Sequence, residues 1–248
     1  MDIMVLVGAI FETCILFIGI LLLLLILKRY FEKKNKLTLY LFTIFLNLII
    51  ATFFSMLSKV IVLTTNIDYV YNQPNIEYPN TPYYWIVLRI VDFRITMIFV
   101  IIGSLLSYLL EKNIFEEKVK KYYGFFVYIF SIYSIFFAIF VYVRGNTLLD
   151  AINFLNAVII MSVVYIPFMI NCYRLYKAIN DIAMKKGFLS LSLMSLSFIS
   201  ILFCILLDRI TILLEMSNGF TVFYFMAWSF VIVGFLCAYM GYIKPKTR

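Results

Sequence analysis

The sequence contains no histidine. That absence removes His-ligated metal sites, Ser-His and Cys-His nucleophile pairs, and the usual side-chain switch near neutral pH. Cysteine is confined to Cys14, Cys172, Cys204 and Cys237, all inside or at the ends of apolar runs. Their spacings match no zinc or haem pattern and none lies in a loop suited to a disulfide, so they read as small packing residues. Proline occurs five times, and only Pro167 falls within a long apolar run. Acidic residues number 13 against 21 lysines and arginines, a net charge of +8. No nucleic-acid partner is expected, because no stretch has the basic, soluble, aromatic-interleaved character of such a surface. No nucleophile–base pair or metal-ligand set is visible, so neither enzymatic activity nor a cofactor is expected.

What fills the chain is apolar. Hydrophobic residues make up 65% of it and the mean hydropathy is +1.02, whereas soluble domains are roughly half apolar. A membrane-spanning helix needs about 20 largely apolar residues. Seven such runs can be drawn: 3–27, 38–63, 84–110, 123–143, 149–173, 188–214 and 220–243. The first is too long for a signal-peptide core and lacks a basic n-region and a small-residue cleavage site, so it is expected to stay. The expected fold is all-α, a polytopic seven-transmembrane helix bundle forming one domain over residues 1–248. A multi-pass protein of the cell membrane, in contact with the lipid bilayer, follows.

The basic residues are distributed asymmetrically. Five lie between Lys28 and Lys36, four between Lys112 and Lys121, four between Arg174 and Lys186, and three from Lys244 to Arg248. The connections on the opposite side hold Arg144 alone. Lysine and arginine bias sets orientation, which predicts the N-terminus outside and the C-terminus inside. Aromatic residues at the run ends, among them Tyr40, Tyr83, Trp85, Tyr122, Tyr173 and Tyr242, match interfacial belts. The one long outer connection, 64–83, carries Pro74, Pro79 and Pro82 and reads as an irregular, turn-rich loop.

Charges inside the runs are the features that most need explaining. Glu12, Lys59, Arg89, Asp92, Arg94, Asp208 and Arg209 all fall roughly 7–17 Å from the outer helix ends at 1.5 Å per residue. Each unpaired charge at the bilayer centre costs about 2.5–3.5 kcal/mol on insertion scales. They must therefore face one another or water. On a continuous third helix Arg89 and Asp92 are i,i+3 neighbours and pair. Arg94 lies about 140° around from Arg89 and needs a partner on another helix; Glu12 or Asp208 are at matching depth. Three acids against four bases leave one positive charge over.

Two arrangements account for this layer. One is a polar chamber open to the outside, where a small anionic or zwitterionic ligand completes the charge balance. The other is a closed salt-bridge network that sets helix register. Asn153 and Asn156 line the same chamber or bond between helices. Pro167 is expected to bend the fifth span. The serines of the sixth run, from Ser190 to Ser200, are expected to let helices approach closely.

Several seven-helix classes are excluded. The last run has no lysine before Lys244, so a retinal Schiff base has no attachment point. The eukaryotic G-protein-coupled receptor pattern needs an acidic-Arg-aromatic triplet closing the third helix and Asn-Pro-x-x-Tyr in the seventh. Ser107-Tyr-Leu-Leu-Glu111 and Ala238-Tyr-Met-Gly-Tyr242 stand there instead. The seven-helix hydrolases rely on histidine ligands.

The seven-run topology, with the ending Trp228-Ser-Phe-Val-Ile-Val-Gly234-Phe-Leu-Cys-Ala-Tyr239-Met-Gly241-Tyr242-Ile-Lys-Pro245, resembles the seven-helix sensory regions at the N-termini of prokaryotic membrane receptors, including histidine-kinase-type sensors. The resemblance implies a receptor-like protein, and the charge layer together with the proline-rich outer connection places a small-ligand site in its outer half. The sequence ends five residues after the last run, so a signal is expected to leave through inner segments such as 174–187 to a separate cytoplasmic or membrane protein partner. The alternatives are a small-solute or proton-coupled transporter or accessory permease subunit, and a structural subunit of a membrane complex. One proline in seven spans and one-sided charges argue against the paired helix breaks of transporters.

Overall fold

The computed structural model describes residues 3–69, 78–115, 121–144, 146–217 and 219–243. Their regular structure is helical throughout: α1 Ile3–Lys33, α2 Lys36–Thr64, α3 Pro82–Val91, α4 Arg94–Phe115, α5 Lys121–Phe140, α6 Thr147–Ala178, α7 Ile182–Leu213 and α8 Val222–Ala238. A π-helical turn, Tyr239–Ile243, continues α8. Seven of these helices are long and apolar enough to cross a membrane. The chain is a multi-pass membrane protein of the seven-helix kind. The extra element is α3, only ten residues long.

That element corrects the expected third span. The run 84–110 is two helices, because the backbone turns at Asp92 and at Phe93, whose φ of +59° lies in the left-handed region. The spanning part, α4, begins at Arg94 and continues to Phe115. Of the long loop, Pro79 and Pro82 are described and Pro74 lies outside the described residues. Thr81 caps α3 by accepting the Tyr84 N–H at 3.4 Å, and Pro82 follows in the first turn, where its missing N–H has no cost.

Helix ends carry orphan backbone groups that lipid cannot satisfy, and polar side chains meet several of them. Asn35 accepts from Leu37, Asn146 from Leu149 and Asp181 from Ala183, at 2.9–3.1 Å. The helices α6 and α7 each run for 32 residues, about 48 Å against a hydrocarbon core of about 30 Å. Segment 174–187, expected as a loop, is therefore mostly helix, with residues 179–181 making the connection. Pro167 sits inside α6, which is continuous across it.

Neighbouring helices close a ring in the order α1, α2, α4, α6, α7, α8 and back to α1, with α5 outside it against α4 and α6. The short α3 packs on α2 and α4. Outward faces are apolar, as Phe17 and Leu24 on α1, Phe125 and Ile132 on α5 and Phe203 on α7 illustrate, which suits contact with lipid.

The serines of α7 divide by direction. Ser190 donates to Cys237 O on α8 at 2.9 Å and Ser192 to Met169 O on α6 at 3.3 Å. Ser195, Ser197 and Ser200 bond within their own helix. Gly234 in the closing segment faces Phe198, and a Cβ there would come within 2.7 Å of the ring. Its role is close approach of α8 to α7. Cys172, Cys204 and Cys237 are buried as packing residues, whereas Cys14 is exposed on the outside of α1, where no protein neighbour demands a small side chain.

Candidate functional site

Antiparallel connection places the start of α1, the end of α2, α3, the start of α4 and the α5–α6 and α7–α8 connections at one end of the bundle, here called the N-terminal end. The seven charges singled out from the sequence all lie towards that end. They do not form one layer around one chamber. Six of them fall into three groups of direct contacts, and the seventh, Arg209, stands over the rings of Phe93 and Phe154.

The first group joins α1, α2 and α8. Glu12 and Lys59 are both wholly buried and form an ion pair at 2.8 Å. The same Glu12 oxygen, Oε1, accepts from Ser55 Oγ at 3.0 Å and from Tyr224 Oη at 2.5 Å. Lys59 Nζ also donates to Ser55 O at 3.1 Å. Around the ammonium stand the rings of Phe93, Tyr224 and Phe220, at 4.9, 5.3 and 5.8 Å. Three aromatic faces supply negative potential to a cation that water cannot reach.

The second group corrects two expected pairings. Arg89 does not pair with Asp92. Its Nε donates to Ile139 O at 3.0 Å and its guanidinium stacks over Trp85, while Asp92 accepts from Tyr142 Oη at 2.5 Å. Arg94 pairs with neither Glu12 nor Asp208. It donates to Asp150 Oδ1 at 2.5 Å and to Val141 O at 3.2 Å. The physical reason is shared. Ile139 and Val141 carry the carbonyls left open at the C-terminal end of α5, whose last turn has no basic residue of its own. Two arginines from α3 and α4 satisfy those carbonyls and meet the negative end of the helix dipole. The break at Asp92 and Phe93 lets both arginines turn to the same helix end.

The third group is Asp208, also buried. Its Oδ1 accepts from Thr221 N at 2.9 Å and Thr221 Oγ1 at 2.7 Å. A carboxylate thus caps the N-terminus of α8, where the dipole favours negative charge. Asp150, first-turn acid of α6, was outside the expected set although it lies inside the fifth run. With it the acids equal the bases, four against four, and the leftover positive charge disappears. Glu111, one residue past the third run as drawn from the sequence, is buried in α4 towards the opposite end and accepts from Asn171 Nδ2 at 3.3 Å. Buried charge is therefore not confined to one half.

A cavity of about 90 Å³ lies inside the helix ring between α2, α4, α6, α7 and α8. Its deeper wall is apolar and includes Leu48, Val100, Met161, Phe198, Leu202 and Phe235. Its polar side chains, Thr52, Ser55, Thr96, Arg209, Tyr224 and Trp228, gather towards the N-terminal end. Phe93 stands at that end with Lys59 at 4.9 Å and the Arg209 guanidinium at 5.0 Å from its ring, and with Tyr69 stacked on it at 5.9 Å. Arg209 also lies 5.0 Å from the ring of Phe154.

Of the expected site residues, Arg209 alone lines this cavity, and Lys59 reaches it only through Phe93 and Ser55. Arg89, Asp92 and Arg94 serve the end of α5. Asn153 and Asn156 are buried in α6 and do not line it; both polar atoms of the Asn153 amide and Nδ2 of Asn156 lack a hydrogen-bond partner among the described residues. Phe93, Thr96 and Tyr224 were not anticipated. Aromatic and hydroxyl residues are common in apolar runs, and nothing in their spacing marks these three. Comparison of the chain with known protein families, with curated proteins and with solved structures finds no match.

Proposed function

We propose that this is a receptor-like membrane protein that binds a small ligand inside the helix ring and signals to a separate partner through the basic end of α6 and α7. The observation that carries this is the cavity beneath Phe93, walled by five of the seven spans. A ligand there touches α2, α4, α6, α7 and α8 at once, so its binding energy bears on how those helices pack. Pockets between bundle helices with few, convergent polar groups are the usual form of small-molecule sites. The charged groups nearest the N-terminal end are held in ion pairs and helix caps, which favours a binding protein over a solute pathway along the bundle. Placement in the cell membrane with the N-terminus outside accords with the basic residues gathered at the opposite end.

The test uses the full chain in lipid nanodiscs and a panel of small amphiphiles and polar metabolites read by thermal shift. Ala51 lines the cavity and is buried. The expected result is that Ala51→Phe abolishes the ligand-induced shift while the protein stays folded, and that reconstituted vesicles show no flux of the same ligand. Undiminished shifts in the filled variant, or ligand flux, would overturn the proposal.

A further inference from the structure

We propose that the cavity takes one compact, uncharged, oxygen-bearing molecule smaller than benzene, a short ketone or alcohol, whose oxygen meets the hydroxyl of Thr96. This names the ligand class for the binding role proposed above and rests on that role.

Volume sets the size. A dry apolar cavity of about 150 Å³ holds one benzene, a molecule of six non-hydrogen atoms. At the same filling, about 90 Å³ holds about three or four such atoms. Away from the N-terminal end the wall is Leu48, Val100, Met161 and Leu202, which suits the carbon part of the ligand and offers no polar partner.

Thr96 sets the chemistry. Four hydroxyls line the cavity, those of Thr52, Ser55, Thr96 and Tyr224. Thr52 donates to Leu48 O at 2.9 Å, while Ser55 and Tyr224 both donate to Glu12. Thr96 is 6% exposed, and its Oγ1 has no hydrogen-bond partner among the described residues. Thr13, Thr43 and Thr64, like Thr52, bond back to the carbonyl four residues earlier. For Thr96 that carbonyl belongs to Asp92, where the chain turns between α3 and α4. The usual internal bond is lost at the break. A buried hydroxyl left open is costly, and a ligand carbonyl or hydroxyl oxygen against it removes the cost.

Charge balance sets the rest. The intramembrane acids and bases at this end already match, four against four. A ligand bringing a charge of its own would enter a largely apolar space without a counter-charge.

The chain has two tryptophans, of which Trp228 lines the cavity and Trp85 does not. Fluorine NMR of the full chain labelled with 5-fluorotryptophan, in phosphatidylcholine nanodiscs, therefore reads the cavity directly, with Trp85→Phe assigning the Trp228 line. Acetone, isobutene and acetate are close in size and shape; the first offers a neutral oxygen, the second only carbon, the third a charge. Benzene exceeds the size. Four non-hydrogen atoms bind no tighter than about 40 µM, so the titrations run into the millimolar range. Acetone is expected to shift the Trp228 line saturably, isobutene to need about fivefold more, and acetate and benzene to leave it in place. Thr96→Val should bring acetone down to the isobutene level, and Thr96→Ser should keep the preference. Isobutene matching acetone on the unaltered chain, or Thr96→Val without effect, would overturn the hydrogen bond; acetate or benzene matching acetone would overturn the neutral, compact ligand. If none of the small probes shifts the line while the wider panel still gives a thermal shift that Ala51→Phe abolishes, this ligand class is wrong and the binding role stands. Failure of the wider panel as well would remove the binding role itself.

Discussion

Single residues carry most of the electrostatic cost, and Glu12 with Lys59 carries the largest share of it. Two charges taken fully out of water need each other and every available dipole. Their mutual contact, the Ser55 and Tyr224 hydroxyls and three aromatic faces provide this. Removing one partner leaves a charge that nothing compensates. Lys59→Met is expected to destabilise the protein by about 3–5 kcal/mol, whereas the double change Glu12→Leu with Lys59→Met should recover most of that loss. Thermal and denaturant unfolding in a mild detergent would check it; equal losses in the single and double variants would mean that the pair is not what stabilises this corner. Depth along α1 and α2 puts both charges in the same layer, but the sequence matches Glu12 to Arg94 rather than to Lys59. The aromatic surround of the pair is not legible there either, because rings from α8 and from the α3–α4 turn arrive by tertiary packing.

At the level of elements, helix ends explain charges that a continuous-helix picture leaves as unmatched burdens. Arg89 and Arg94 serve the C-terminus of α5 and Asp208 serves the N-terminus of α8. Asp208→Ala should cost about 0.5–2 kcal/mol, and Asp208→Asn less, because an amide oxygen still accepts the Thr221 N–H. Hydrogen exchange should localise the effect to residues 221–224; unchanged exchange there would refute the capping role. The charges themselves stand out in apolar runs. Which helix end each one meets depends on the left-handed turn at Phe93, and the residues at that turn include neither proline nor glycine to announce it.

For the whole molecule, the arrangement to test is orientation. Asn146 and Asn180 are exposed at opposite ends of the bundle. With the four native cysteines replaced by alanine, a cysteine at Asn146 is expected to react with an impermeant maleimide on intact cells. A cysteine at Asn180 should react only after permeabilisation. The opposite pattern would place the N-terminus inside. The cavity is lined by five helices drawn from nearly the whole chain length, so the ligand-binding role proposed above belongs to the same scale.

Sequence alone determined that the chain spans a membrane seven times and that its basic residues gather at one end. Both properties follow from hydropathy and charge summed over runs of about 20 residues, and neighbouring elements do not alter such sums. It also located the first half of the third run as the place where charge is most concentrated. Only the tertiary structure decided that this run is two helices, that Asp150 is the partner of Arg94, and that the enclosed space is mainly apolar with one polar end. Those outcomes depend on which side chains from distant segments arrive at the same depth and azimuth. Hydrogen bonding to orphan helix ends then outweighs continuation of a single helix.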